Sequence, residues 1–272
     1  MTTRAERGLY WDEAWWIVQG CTPVDRSCDQ CWAAEYSHRA AGRLLRFHGV
    51  TKKTHAGTPF GECPCFTGEV RFDASQLSKP RNRRKPTIYA VWTDLFHRNL
   101  SDWMIGDAMS VMRECPRHRF LVCTKRIERA AQWEDWPSNL WLGTTIPTQA
   151  QIGRLEVLRE IPAARKFVSL EPLLGPVHLK LTRRAPVMGC CPHGSAACPC
   201  MYMDEPVIDW AIIGCESGSR RRPCELDWVR GVVRQLDAAS VKVWIKQLDL
   251  GGKVVKDMTQ FPEDLRRREV PK

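Results

Sequence analysis

The chain has 272 residues, a hydrophobic fraction of 43% and a formal net charge of +10. This length and apolar content suit one large domain over residues 1–272 with a sizeable core, and an α/β barrel of roughly 250 residues would fit. No apolar run long enough to span a membrane occurs, which excludes a transmembrane helix.

The N-terminal stretch lacks the apolar segment of a secretory signal, so a reducing, cytoplasmic setting is expected. In that setting 13 cysteines point to metal binding rather than to a disulfide framework. The positive charge points to an acidic partner, nucleic acid first and an anionic cofactor second.

Residues 14–18 read as a first strand and 32–46 as a helix. Residues 48–86, rich in Gly, Pro, Lys and Arg, read as an irregular insertion. From there strands and helices alternate. Strands are expected at 87–92, 119–123, 140–145, 165–170, 210–215 and 241–246, where β-branched and aromatic residues cluster. Helices are expected at 101–115, with Ser101 as N-cap, and at 127–133, 148–161 and 225–239, where apolar residues recur at helical spacing. A second insertion, at about 176–206, is broken by prolines, and the tail from 251 is polar. The alternation predicts a parallel sheet with helical crossovers. The expected fold is a partial or complete TIM-type β/α barrel, with an open doubly wound sheet as the runner-up.

Between the first strand and the first helix lies a loop with Cys21, Cys28 and Cys31, spaced C-x6-C-x2-C. Three thiolates can hold three irons of a cubane cluster and leave the fourth iron open. A zinc ion would need a fourth ligand, and His38 is the nearest candidate. Buried free thiols are the third reading.

In parallel α/β folds the site forms at the carboxyl ends of the strands. Just past each apolar run stand Asp94, Thr124 with Lys125 and Arg126, Ser169 with Glu171, Glu216 with Ser217, and Lys246 with Gln247. Charges directly abutting apolar strands are costly unless paired. They predict a polar pocket facing the cysteine loop.

The loop GCTPVDRSCDQCWA, the runs Asp94–His97, Thr124–Arg126, Ser169–Gly175 and Gly214–Gly218, and the pair Lys246-Gln247 together resemble a phage-associated protein family. That family is grouped by distant similarity with the radical S-adenosylmethionine (SAM) enzymes. Most such enzymes have a first cysteine gap of three residues rather than six, and Cys215 stands where family members commonly carry glycine. The resemblance implies a 4Fe-4S cluster on Cys21, Cys28 and Cys31, with SAM on its open iron. It implies SAM-binding roles among Asp94, Thr124, Lys125, Ser169, Glu171, Gly214, Glu216, Ser217 and Gln247. Lys125, Glu171, Glu216 and Lys246 are the implied catalytic set. It also implies an electron donor and, if the chain is phage-encoded, the host cytoplasm.

A second cysteine-rich stretch holds Cys190, Cys191, Cys198 and Cys200, and a further CPC run holds Cys63 and Cys65. The expectation is a second metal site, zinc first and another iron–sulfur cluster next. Cys115, Cys123 and Cys224 read as packing residues. Basic runs at 81–85, 220–222 and 266–268 suggest a nucleic acid or nucleotide substrate, and Lys125, Arg126 and Lys246, on different strands, are expected to hold its phosphate. The competing function is a metal-stapled nucleic-acid-binding protein without catalysis. A zinc hydrolase lacks an H-E-x-x-H ligand set.

Overall fold

The β-branched and aromatic runs become strands, and alternate residues of each strand face opposite ways. The computed structural model describes residues 4, 6–54, 62–186, 202–218 and 220–271. Its strands are β1 (Glu13–Trp15), β2 (Val18–Gln19), β3 (Thr51–Thr54), β4 (Cys63–Phe66), β5 (Arg71–Phe72), β6 (Ile88–Val91) and β7 (Arg119–Thr124). They continue with β8 (Leu140–Thr145), β9 (Arg165–Leu170), β10 (Thr182–Pro186), β11 (Tyr202–Pro206), β12 (Trp210–Gly214), β13 (Lys242–Leu250) and β14 (Lys253–Val255). The helices are α1 (Trp32–Ala41), α2 (Ser78–Asn82), α3 (Asp102–Glu114), α4 (Ile127–Ala130), α5 (Gly153–Glu160) and α6 (Leu226–Ala238).

One eight-stranded sheet runs β1-β6-β7-β8-β9-β12-β13-β14. Every pairing from β1 to β13 is parallel, and β14 adds antiparallel to β13. The expected alternation is therefore present, and its strands pair in chain order. That order differs from a doubly wound sheet, where the strand order reverses at a switch point. Among the described residues no pairing joins β1 to β13, so a closed barrel is not formed by hydrogen bonds. The N-terminal segment lies against β13 instead: Trp244 Nε1 donates to Gly8 O at 3.1 Å.

The insertion at 48–86 is more regular than expected. It holds the ribbon β3–β4, the partner of β2 in the ribbon β2–β5, and α2. The later insertion carries the ribbon β10–β11. Expected helices shorten at their ends, and Ser101 occupies the N-cap of α3 without a side-chain capping bond. Gly251 and Gly252, both at positive φ, form the tight turn that returns β14 along β13.

The two faces of the sheet are separate cores. On the helix-covered face Phe120, Val122, Leu142, Val168, Ile213 and Val243 pack with Ile105, Met109, Leu155 and Val232. Fully burying a side chain of this kind stabilises by roughly 1.5–3 kcal/mol. On the other face Leu121, Trp141, Phe167, Trp210, Ile212 and Trp244 meet Tyr10 and Trp11. Trp141 and Trp210 meet edge to face at 5.8 Å. Phe167 fits there because residue 143 is glycine: a Cβ at that position would lie 2.3 Å from its ring. This aromatic plug fills the amino-terminal half of the inner face and leaves the carboxyl ends to the polar residues.

Candidate functional site

The cysteine loop leaves β2 through Gly20, whose φ is +85° and whose absent Cβ would lie 1.9 Å from Glu69 O. Only glycine accepts both the positive φ and the close backbone. Asp25 then accepts from Ser27 N at 2.8 Å and starts the turn Arg26–Cys28. Cys31 is the N-cap of α1. Cys21, Cys28 and Cys31 all line one pocket, which also meets Asp94, Lys125, Ser169, Glu171, Glu216 and Ser217. The loop and the ends of β6, β7, β9 and β12 thus converge.

Two of the three cysteines have a cationic neighbour. Arg126 Nη1 lies 3.8 Å from Cys21 Sγ. Lys125 Nζ donates to Cys28 Sγ at 3.2 Å and also to Ser27 Oγ. Cys31 stands at the N-cap of α1 without a side-chain capping bond, beside the first-turn amides of that helix. Burial pushes the Cys21 thiol up to about 12, with Asp94 adding to the rise and Arg126 opposing it. Burial raises Cys31 as well. Burial alone would lower Lys125, but Cys28, Asp25 and Cys31 outweigh it and hold the ammonium above the ordinary lysine value.

The charged residues at the strand ends are paired. Asp94 accepts from Arg126 Nη1 at 2.6 Å, Thr124 Oγ1 at 2.7 Å and Phe96 N at 3.0 Å. Arg126 also reaches Thr22 O at 2.8 Å. Arg154 holds Asp25. Burial works to raise Asp25, and Lys125, Ser27 and Arg154 together bring it below the usual carboxylate range. Lys246 pairs with Glu171, and its ammonium lies 5.7 Å from the Trp32 ring centroid. Glu216 is 4% exposed and takes a forked contact from Arg222, whose backbone N–H also donates to it at 2.8 Å. Burying carboxyl groups of this kind is costly without such hydrogen-bonded partners.

Four of the expected residues support the pocket from behind. Thr124 braces Asp94, and Gly214 lies against Glu171 and Gln247, a Cβ there meeting them at 3.4 and 3.5 Å. Lys246 orients Glu171, and Gln247 Nε2 donates to Cys215 O at 2.7 Å. The pocket also has members that strand-end reading missed: Trp32, Trp92, Tyr10, Trp11 and Cys123. Cys123 faces the pocket and contacts Thr145 Oγ1 at 3.6 Å, whereas Cys115 and Cys224 are buried as packing residues. Asp25, Arg154 and Arg222 were missed too. Asp25 carried a signal, as an acid inside the cysteine loop.

The CPC run on β4 leans on the three-cysteine loop, since Cys63 Sγ donates to Asp29 O at 3.4 Å. Cys190, Cys191, Cys198 and Cys200 lie outside the described residues. The basic runs are largely engaged within the chain. Arg81 pairs with Glu114 at 2.6 Å, Arg83 with Glu13 at 3.2 Å and Arg267 with Asp237 at 3.0 Å.

A single ion needs ligands that converge on one point, and no group of three or more His, Cys, Asp or Glu side chains does so among the described residues. His38, the fourth ligand considered for zinc, is turned to Thr51 Oγ1 at 3.3 Å. A cubane cluster takes one thiolate per iron, so its ligands ring a larger body. Three thiols around one pocket, two of them beside side-chain donors, fit that requirement.

No helix among the described residues is long and apolar enough to cross a membrane. No curated protein and no solved structure matches the chain. A family model described as "Protein of unknown function (DUF5131)" matches residues 7–269, and the chain belongs to that family.

Proposed function

We propose that the chain is a radical SAM enzyme on an open, TIM-like arrangement of parallel strands, with a 4Fe-4S cluster on Cys21, Cys28 and Cys31. The observation that supports this most is the meeting of all three thiols in one pocket at the carboxyl ends of the strands, with Arg126 beside Cys21, Lys125 beside Cys28 and Cys31 at the start of α1. Cys21, Cys28 and Cys31 would hold the cluster, which when bound would supply the single electron for reductive cleavage of SAM and so the radical chemistry on the substrate.

The chain's own residues bind, orient and exclude. Glu171 and Glu216 present carboxylates fixed by Lys246 and Arg222. They accept from the SAM ammonium or ribose hydroxyls. Ser169 and Ser217 add hydroxyls beside them. The aromatic plug closes the pocket floor to water. Lys246 acts through Glu171 and is a positioning residue.

The substrate in this reading is a nucleic acid or nucleotide. Lys125, Arg126 and Lys246 were expected to hold phosphate, but each is paired with groups of the chain itself. What favours a nucleobase is the aromatic wall: Trp32 and Trp92 line the pocket, edge to face at 5.0 Å, and Trp32 is 48% exposed. Flat side chains of this kind stack on bases regardless of sequence.

The test is anaerobic reconstitution with iron, sulfide, SAM and a chemical reductant. The expected result is a broad absorption near about 400 nm and release of 5′-deoxyadenosine, both lost when Cys21, Cys28 and Cys31 are replaced by Ala. An undiminished absorption band in the triple variant would place the cluster elsewhere. A cluster without 5′-deoxyadenosine would remove the SAM chemistry.

A further inference from the structure

Lys125 is placed unlike a substrate-binding cation. Its ammonium has three donors and no acceptor. It contacts Ser27 Oγ and Cys28 Sγ, with Asp25 Oδ1 at 3.9 Å. The side chain is only 19% exposed. All of its close partners belong to the cysteine loop, so little of it remains for SAM or phosphate.

Asp25 is shared between this charge and Arg154. Arg154 lies closer to the carboxylate than Lys125 does, at 2.5 Å against 3.9 Å. Arg154 is itself fixed by a bond from Nη1 to Thr145 O at 2.9 Å. The chain of contacts Arg154–Asp25–Lys125–Cys28 therefore ends with a cation on a cysteine sulfur. Arg126 faces Cys21, and Cys31 stands at the start of α1.

We propose that Lys125 is a positioning residue that raises the reduction potential of the cluster held by Cys21, Cys28 and Cys31. The inference rests on the cluster reading above. Reduction adds one negative charge at the cluster, and a fixed cation donating to a ligand sulfur favours the reduced form. Net charge and hydrogen bonds to the sulfurs are the terms by which a protein sets such potentials. The low exposure of Lys125 means that solvent screens this charge poorly. Arg126 adds a weaker contribution, because its sulfur contact is longer and its charge is shared with Asp94.

The experiment is a redox titration of the reconstituted full chain without SAM, followed by electron paramagnetic resonance of the reduced cluster. Lys125→Met removes the cation and keeps an unbranched side chain. Its one-electron equilibrium should move at least about tenfold toward the oxidised form, which is about 59 mV lower. Lys125→Arg should stay within about threefold of the wild type, as the cation is retained. Asp25→Asn removes the counter-carboxylate and should shift the equilibrium the opposite way. A merely structural role for this contact chain would not move Lys125→Met and Asp25→Asn in opposite directions.

An unmoved or raised potential in Lys125→Met overturns the inference, as does a shift of both variants in one direction. If Lys125→Met takes up no cluster, Asp25→Asn decides alone: a raised potential supports the inference, and an unmoved or lowered one overturns it. Absence of a cluster in the wild-type chain overturns the cluster reading and this inference with it. A normal cluster with unmoved potentials overturns this inference alone.

Discussion

Replacement of Asp94 tests the electrostatics of the site whatever the reaction proves to be. Its side chain is 7% exposed, and that of its partner Arg126 is 16% exposed. Asp94→Ala removes the acceptor of three bonds and leaves the Arg126 guanidinium beside Cys21 without its carboxylate. Breaking a buried pair from one side costs about 3–5 kcal/mol. Arg126 keeps its bond to Thr22 O, so the lower end, about 3 kcal/mol, is expected. For a chain of this size that corresponds to a fall in Tm of roughly 6–12 °C. Asp94→Asn keeps an oxygen for Phe96 N and Thr124 Oγ1 and loses only the charge, so it should cost about half as much. The assay is equilibrium urea unfolding of the metal-free, reduced chain. The double variant Asp94→Ala/Arg126→Met should be less destabilised than the sum of the two single changes, because the orphaned charge is gone. A cost below about 1 kcal/mol for Asp94→Ala, or strict additivity, would refute the argument.

Gly20→Ala meets both a positive φ and a carbonyl oxygen 1.9 Å from the new Cβ, so it should destabilise by more than the roughly 1–3 kcal/mol of backbone strain alone and lower cluster uptake in the same preparation. His97 is fully buried, accepts from Asn99 N at 3.1 Å and donates to Thr22 Oγ1 at 2.8 Å. Burial first, then the Arg126 charge, pushes its pKa down to about 4. The unfolded chain binds this proton at higher pH than the folded one, so the contribution is fully present above about pH 6.5 and is lost toward pH 4, at about 1.4 kcal/mol per pH unit. In urea unfolding at pH 7, 6, 5 and 4, His97→Gln should flatten that fall, and an unchanged slope would count against it. Glu171→Gln should weaken SAM binding in calorimetry at least about tenfold by removing a charge-assisted acceptor, with unfolding used to separate this from loss of the Lys246 pair. Binding to single-stranded DNA, RNA or mononucleotides should weaken as salt rises, and no binding at low salt with the cluster intact would remove the nucleic-acid substrate while leaving the radical chemistry in place.

Much of the sheet was legible because strand and helix periods are local. The runs at 140–145 and 165–170 became β8 and β9 with the same bounds. The β14 hairpin was missed because β14, Lys253–Val255, is too short to show a strand period, although Gly251-Gly252 was a turn signal. The ribbons at 48–86 were missed for a related reason: β3, Thr51–Thr54, has no buried face of its own and takes its register from β4.

By itself the sequence determined that three thiols stand on a loop between a first strand and a first helix, and that polar residues follow successive apolar strands. Those are properties of neighbouring residues, fixed by spacing and by the burial of alternate side chains. Only the tertiary structure decided what the charges do. Lys125 and Cys28 are 97 positions apart, Lys246 and Glu171 are 75 apart, and Arg154 and Asp25 are 129 apart. No local pattern encodes such pairs. The sheet brings them together at its carboxyl edge, where low exposure makes an unpaired charge costly and selects the partner within reach. The cations that the sequence offered for phosphate are therefore already engaged, with sulfur and carboxylate groups of the chain itself.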